Sequence, residues 1–313
     1  MIAVLLVAVA AAVALVAPRV LVSASWVYRA PMLGIAAWYA VLFSVTAAVS
    51  LGVVSLVIPW PRTVDALCSL WRWCAEALRG EYGFAGHLAG GVLVGVVLLV
   101  AARAAVVLAR AAWSTRLGRR RYREAVTLLG AHSATLGVTV LHRPEPAAYL
   151  VPGRRRRIVV TTGALAVLSA DELAAVVAHE RAHAAGRHHL LRDGAGLLQR
   201  AFPRVELFAV ARRQIARLVE MRADQVAATG RAPLDLARAL VTMAISTAAP
   251  SGALAATGGD AVERVHRMLR PPAPLHRGVR AGLLAAMAVV ALLPLAATAL
   301  AWAEPVLATC LPL

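Results

Sequence analysis

Lysine is absent from this chain: all 33 basic residues are arginine. Nothing in side-chain chemistry demands arginine at every basic position, so the pattern reads as codon usage in a GC-rich genome. Acidic residues are scarce as well, 16 in 313, which leaves a formal net charge of +17. That charge would suit a nucleic-acid partner. Aromatic residues make up only 5% of the chain, however, and no aromatic–basic platform or recognition motif accompanies the arginines, which argues against direct nucleic-acid binding. The three cysteines, Cys68, Cys74 and Cys310, allow at most one internal disulfide and serve equally well as free thiols.

What the chain has in excess is apolar surface. It is 60% hydrophobic, with a mean hydropathy of +0.72, well beyond an ordinary soluble domain. Four runs, Met1–Ala17, Pro31–Trp60, His87–Leu108 and Ala281–Ala303, are each long enough to cross a hydrocarbon core of ~30 Å, the first only just. The first run lacks a basic leader and a cleavage site, so it reads as a retained helix. Arg103 sits near the end of the third, where its head can snorkel to the interface. Arginine placement then sets orientation. Arg110, Arg116, Arg119, Arg120, Arg121 and Arg123 follow the third run, and Arg270, Arg277 and Arg280 precede the fourth. By the positive-inside rule the region 111–280 is cytoplasmic. The expected layout is three spans within 1–110, an external loop at 61–86, a fourth span at 281–303, and a short external tail at 304–313.

Region 111–280 is too charged for lipid and long enough for one α+β domain. Ala125–Leu136 reads as a helix, Val138–Leu141 and Ile158–Thr161 as short strands, and VPGRRRR before the second strand as a basic hairpin. Ser169 opens a further helix with a capping box, Glu172 lying three residues on. Four of the nine histidines then fall within Ala178–His189, AHERAHAAGRHH. His179 and His183 are i and i+4, on one face of the helix and able to share a metal ion. Glu180 lies one position round, placed to activate a water. Two histidines and a glutamate among alanine, valine and leucine need such a reason.

The segment also fits the longer metzincin pattern H-E-x-x-H-x-x-G-x-x-H, with His189 as third ligand and Gly186 as the bend. On a helix that runs straight on, His189 lies about 240° round from His183 and cannot reach the same ion. Val176, His183, Leu190 and Leu197 are heptad-spaced, so the apolar stripe predicts a helix continuing through Gly186 to a break at Asp193-Gly194. A second source of ligand is the predicted helix Val205–Ala228, where Glu220 and Asp224 share one face at i and i+4. Glu220 could complete a two-histidine, one-glutamate site with an open position, and Asp224 could orient a histidine from behind. Taken alone, the pair reads as well as partners of Arg217 and Arg222 on a solvated face.

The stretch AYLVPGRRRRIVVTTGALAVLSADELAAVVAHERAH, then EMRAD and VERVHRMLRPP, resembles the cytoplasmic gluzincin domain of the BlaR/MecR-type membrane metallopeptidases, whose core the HtpX-like membrane proteases share. The resemblance covers roughly residues 130–270, and the order of three spans, zincin and fourth span is also similar. It implies one Zn²⁺ per chain held by His179, His183 and Glu220, Glu180 as general base, and Asp224 behind the ligands. It also implies an edge strand, Ile158, Val159, Val160 and Thr161, that takes peptide substrates by β-addition. The location implied is the bacterial inner membrane, with a winged-helix repressor of the BlaI/MecI type as substrate and a second copy of the chain as a further partner. The β-lactam sensors carry a penicillin-binding domain after their last span, whereas EPVLATCLPL follows here, so acylation of this chain is not expected. Self-cleavage would fall in PSGALAATGGD, Pro250–Asp260, which reads as flexible. Two other readings remain from the residues: an HtpX-like quality-control protease and a non-catalytic membrane scaffold.

Overall fold

The apolar run that opens the chain folds as one helix, α1 (Ile2–Ser23), followed by a short helix, α2 (Ser25–Arg29), and a second long one, α3 (Pro31–Val57). The computed structural model describes residues 2–57, 109–110, 113, 117–118, 120–121, 123–153, 156–229, 233–247 and 254–310. The expected third span, the loop at 61–86, Cys68 and Cys74 lie outside them. Among the described residues, Ile2–Ser23, Pro31–Gly52 and Arg277–Ala301 are long and apolar enough to cross a bilayer, with mean hydropathies of 2.5, 1.9 and 2.4. The chain divides into two compact units. One comprises Met1–Val20, Ala37–Ala112 and Ala281–Leu313, and the other Leu21–Ala36 with Trp113–Arg280.

The second unit is built on a four-stranded sheet: β1 (Gly130–Ser133), β2 (Val138–Leu141), β3 (Ala148–Val151) and β4 (Arg157–Thr161). Its spatial order is β1-β2-β4-β3. β2 and β4 run parallel, with Val140 opposite Val160, and β1 and β3 flank them antiparallel. Two expectations are corrected here. Residues 123–129 are helical, but the chain turns into β1 at Gly130 instead of continuing to Leu136. A β-carbon at Gly130 would lie 2.4 Å from Thr139 Cγ2, so only glycine admits this close strand crossing. The segment Ile158–Thr161 forms an interior strand, not an edge. Val160 packs with Val138, Val176 and Val177 on one face, and Val159 with Val126 and Val151 on the other. An uninterrupted apolar run of this kind belongs where both faces and both edges are covered. The edge strand on that side is β3.

Six helices complete the unit's described order: α4 (Thr162–Val167), α5 (Ala170–Ala185), α6 (His188–Ala201), α7 (Glu206–Ala228), α8 (Pro233–Thr247) and α9 (Leu254–Leu269). The final helix, α10 (Arg277–Cys310), carries the chain past Ala303, so residues 304–310 are helical. Residues 254–260 of the supposed flexible stretch lie within α9. The β4–α4 junction turns on Thr161, whose hydroxyl accepts from the Ala147 and Ala164 amides and donates to the Glu145 carbonyl. Ser169 and Glu172 form the expected capping box at the start of α5. α5 lies with Val176 and Val177 against the sheet, and with Ala175 against Ala227 of α7, Leu236 of α8 and Met268 of α9. This packing sets the polar face of α5 opposite that of α7.

Candidate metal centre

Each of the two facing helices contributes an i, i+4 pair, and the pairs meet. His179 Nε2 lies 3.0 Å from His183 Nε2, and Glu220 offers Oε2 at 3.5 Å to the first and Oε1 at 3.6 Å to the second. Three donor atoms, one from each residue, lie within 4.8 Å of one another. Both histidines are buried, and Glu220 is partly so. Two imidazole nitrogens and one carboxylate oxygen at this spacing could together hold a divalent metal ion. His189, the metzincin candidate, is not in the group.

Each of the three side chains has a polar neighbour behind it. His179 Nδ1 lies 3.0 Å from Asp224 Oδ1. Asp224 in turn receives two hydrogen bonds from Arg264 on α9, Nε to Oδ2 at 2.7 Å and Nη2 to Oδ1 at 2.8 Å. Arg264 Nη1 also stands 3.6 Å from Glu220 Oε2, and Arg192 Nη1 donates to Glu220 Oε1 at 3.3 Å. On the other side, His183 Nδ1 lies 3.0 Å from His188 Nδ1, with the rings perpendicular.

The charges follow from these contacts. Burial disfavours a charged His179, but the carboxylates of Asp224 and Glu220 outweigh it and raise its pKa to about 9. Burial also opposes ionisation of Glu220 and Asp224. Hydrogen bonds and charge from His179 and His183 in the first case, and from Arg264 and His179 in the second, hold both carboxyls below the usual range. Glu180 moves the other way: burial raises it, against the lowering effects of the two histidines and the Leu150 amide. Burial, then the charge of His183, lowers His188 to about 4, which keeps it neutral.

The break after His183 differs from the sequence expectation. α5 stops at Ala185, Gly186 caps it, Arg187 turns left-handed (φ 49°), and α6 begins at His188 and runs on through Gly194. The heptad stripe did not carry through: Leu190, which it would bury, is 53% exposed. The break at the glycine is therefore present, but it delivers His188 to the back of His183 and leaves His189 outside the candidate metal group.

Residues 112–205 match the family model of peptidase family M48. The M48-like segment takes in the whole sheet, His179, Glu180, His183 and the turn to His188, and supports a metallopeptidase. It ends one residue before α7, so Glu220 and Asp224 join the site on geometry. No curated protein and no solved structure matches the chain. Sequence reasoning missed Arg264, His188 and Leu150. Arg264 stands within the quoted VERVHR, but only the contact with Asp224, forty residues earlier, gives it a role.

Proposed function

We propose that this protein is an integral-membrane zinc endopeptidase acting on a cytoplasmic protein. The observation that carries the reading is the convergence of His179, His183 and Glu220 with Glu180 beside them on α5. An ion held there would supply Lewis acidity to the scissile carbonyl. Glu180, made more basic by burial, takes a proton from the attacking water and returns it to the leaving amine. Asp224, itself fixed by Arg264, holds the His179 ring in register. The substrate strand adds alongside β3, the outermost described strand on this side of the sheet, in place of the interior strand Ile158–Thr161. The lowering effect of the Leu150 backbone amide on Glu180 supports this choice of strand.

Placement in the cytoplasm draws on the arginine distribution and on one structural fact. The elbow between α1 and α3, Leu21–Ala36, belongs to the same compact unit as the peptidase. That shared unit supports a reading in which the turn between the first two spans and the peptidase lie on one side, as the positive-inside count expects. Within that reading, the substrate implied by the resemblance is a winged-helix repressor, with the chain itself as a second target. The test compares wild type with Glu180→Gln in membranes, following zinc-dependent cleavage of the chain and of a co-expressed BlaI-like repressor. Equal cleavage by both, with zinc bound in both, would sink the endopeptidase reading. Cleavage of membrane proteins but never of the repressor would leave the peptidase and move its role to quality control.

A further inference from the structure

The turn Gly186-Arg187-His188 is costly to build and has no part in ligating the ion. Arg187 occupies the left-handed region, which strains any residue other than glycine. Gly186 itself is right-handed (φ −74°, ψ −3°), a conformation alanine adopts freely. Its lack of a side chain serves another end: a β-carbon there would lie 2.3 Å from His188 Nε2 and 2.5 Å from Cδ2. The Arg156 guanidinium fixes the end of α5 by donating to the Ala184 carbonyl at 2.6 Å. All three features seat one imidazole, that of His188, only 2% exposed, against His183.

We propose that His188 is the positioning residue of His183, accepting the His183 Nδ1 proton on its own Nδ1 and so aiming His183 Nε2 at the metal. The inference rests on the metal-centre reading above. His183 Nε2 is the nitrogen that faces His179 and Glu220, so as a ligand it must be bare and Nδ1 must carry the ring proton. That proton needs an acceptor within the protein, and His188 Nδ1 stands at 3.0 Å. His188 then carries its own proton on Nε2. The arrangement mirrors the other ligand, where Asp224 faces His179 Nδ1. One histidine is backed by a carboxylate and the other by a second imidazole ring. The alternative role for His188 is a core histidine that only fills space.

The full chain in detergent separates the two. Zinc affinity is measured by chelator competition, the Co²⁺-substituted protein by visible absorption, and the metal-free protein by thermal unfolding. His188→Leu should bind zinc about 10–100-fold more weakly, with an altered cobalt spectrum. His188→Asn, whose Oδ1 replaces the accepting Nδ1, should recover most of that affinity and the parent spectrum. Gly186→Ala should resemble His188→Leu in zinc affinity, because its methyl group displaces the ring while the backbone stays allowed. Unchanged zinc affinity in His188→Leu or Gly186→Ala would overturn the proposal, as would His188→Asn binding as weakly as His188→Leu at equal metal-free stability. If His188→Leu does not fold, His188→Asn and Gly186→Ala decide. Retention of zinc by His183→Ala would instead strike the metal centre itself.

Discussion

Because Asp224 and Glu220 hold a proton on His179 up to about pH 9, a metal ion must displace that proton to bind at neutral pH. The group's pKa lies above its unfolded value of 6.5, so the bound proton is retained below about 9 and competes with the metal there. Between pH 9 and pH 7 the competition spans two pH units, which is about 2.7 kcal/mol or a hundredfold in apparent affinity. Zinc affinity of the metal-free full chain should therefore rise roughly tenfold per pH unit over this range and level off near 9. Chelator competition in detergent, corrected for the chelator's own protonation, reads it directly. Asp224→Asn removes one of the two carboxylates that raise His179, so it should move the break toward lower pH and flatten the upper part of the profile, while also weakening binding at the plateau. The sign for stability is opposite: the metal-free protein holds this contribution in full below pH 6.5 and loses it as the pH rises through 9. A wild-type affinity that stays flat from pH 7 to 9, or an Asp224→Asn profile as steep as wild type, would refute the reasoning.

Other perturbations test the scaffold. Arg264→Leu leaves the Asp224 carboxylate, 4% exposed, without its bidentate partner and should cost about 3–5 kcal/mol, seen as a lowered unfolding midpoint. Ser169→Ala breaks the α5 capping box and should cost about 1 kcal/mol by the same assay, with zinc affinity unchanged. Thr161→Val strips the Ala147 and Ala164 amides of their shared acceptor beneath α4, at about 1–3 kcal/mol.

Much of the candidate metal centre was legible because its parts are local. His179 and His183 share a helical face by spacing alone, Glu220 and Asp224 do the same on α7, and the Ser169 capping box fixes where α5 begins. What joins the two helices is not local. Arg264 reaches Asp224 from another helix, and no periodicity marks an arginine as buried. The turn at Gly186 was hidden by a coincidence of phase: Leu190 and Leu197 continue the spacing of Val176 and His183 on paper, but the left-handed Arg187 rotates α6 away from that stripe. The strand Ile158–Thr161 was recognisable as a strand, but its place in the sheet depends on β3 folding back along it and on the parallel crossover to β2. The apolar run through Ile158, Val159 and Val160, covered on both faces, was the cue to an interior position.

The elbow Leu21–Ala36 bears on how the peptidase unit can be isolated at all. Tyr28 donates its hydroxyl to Gln214 Oε1 at 3.3 Å, its ring lies under Arg217, and its carbonyl accepts from Arg267. Arg29 donates to the Ala273 carbonyl, and Val27 is wholly buried. Gln214 and Arg217 stand on the same helix as Glu220, at most two turns before it. A water-soluble fragment starting at Trp113 would hold every residue of the metal centre and still lack one wall of the unit, baring the face around Gln214 and Arg217. During synthesis the elbow emerges long before the helix it grips, so α7 finds its final seat only after the first two apolar helices have been made. Truncated forms that lack the elbow are thus poor reporters of the candidate metal centre: Glu220 rides on a helix whose middle turns are fastened by Leu21–Ala36.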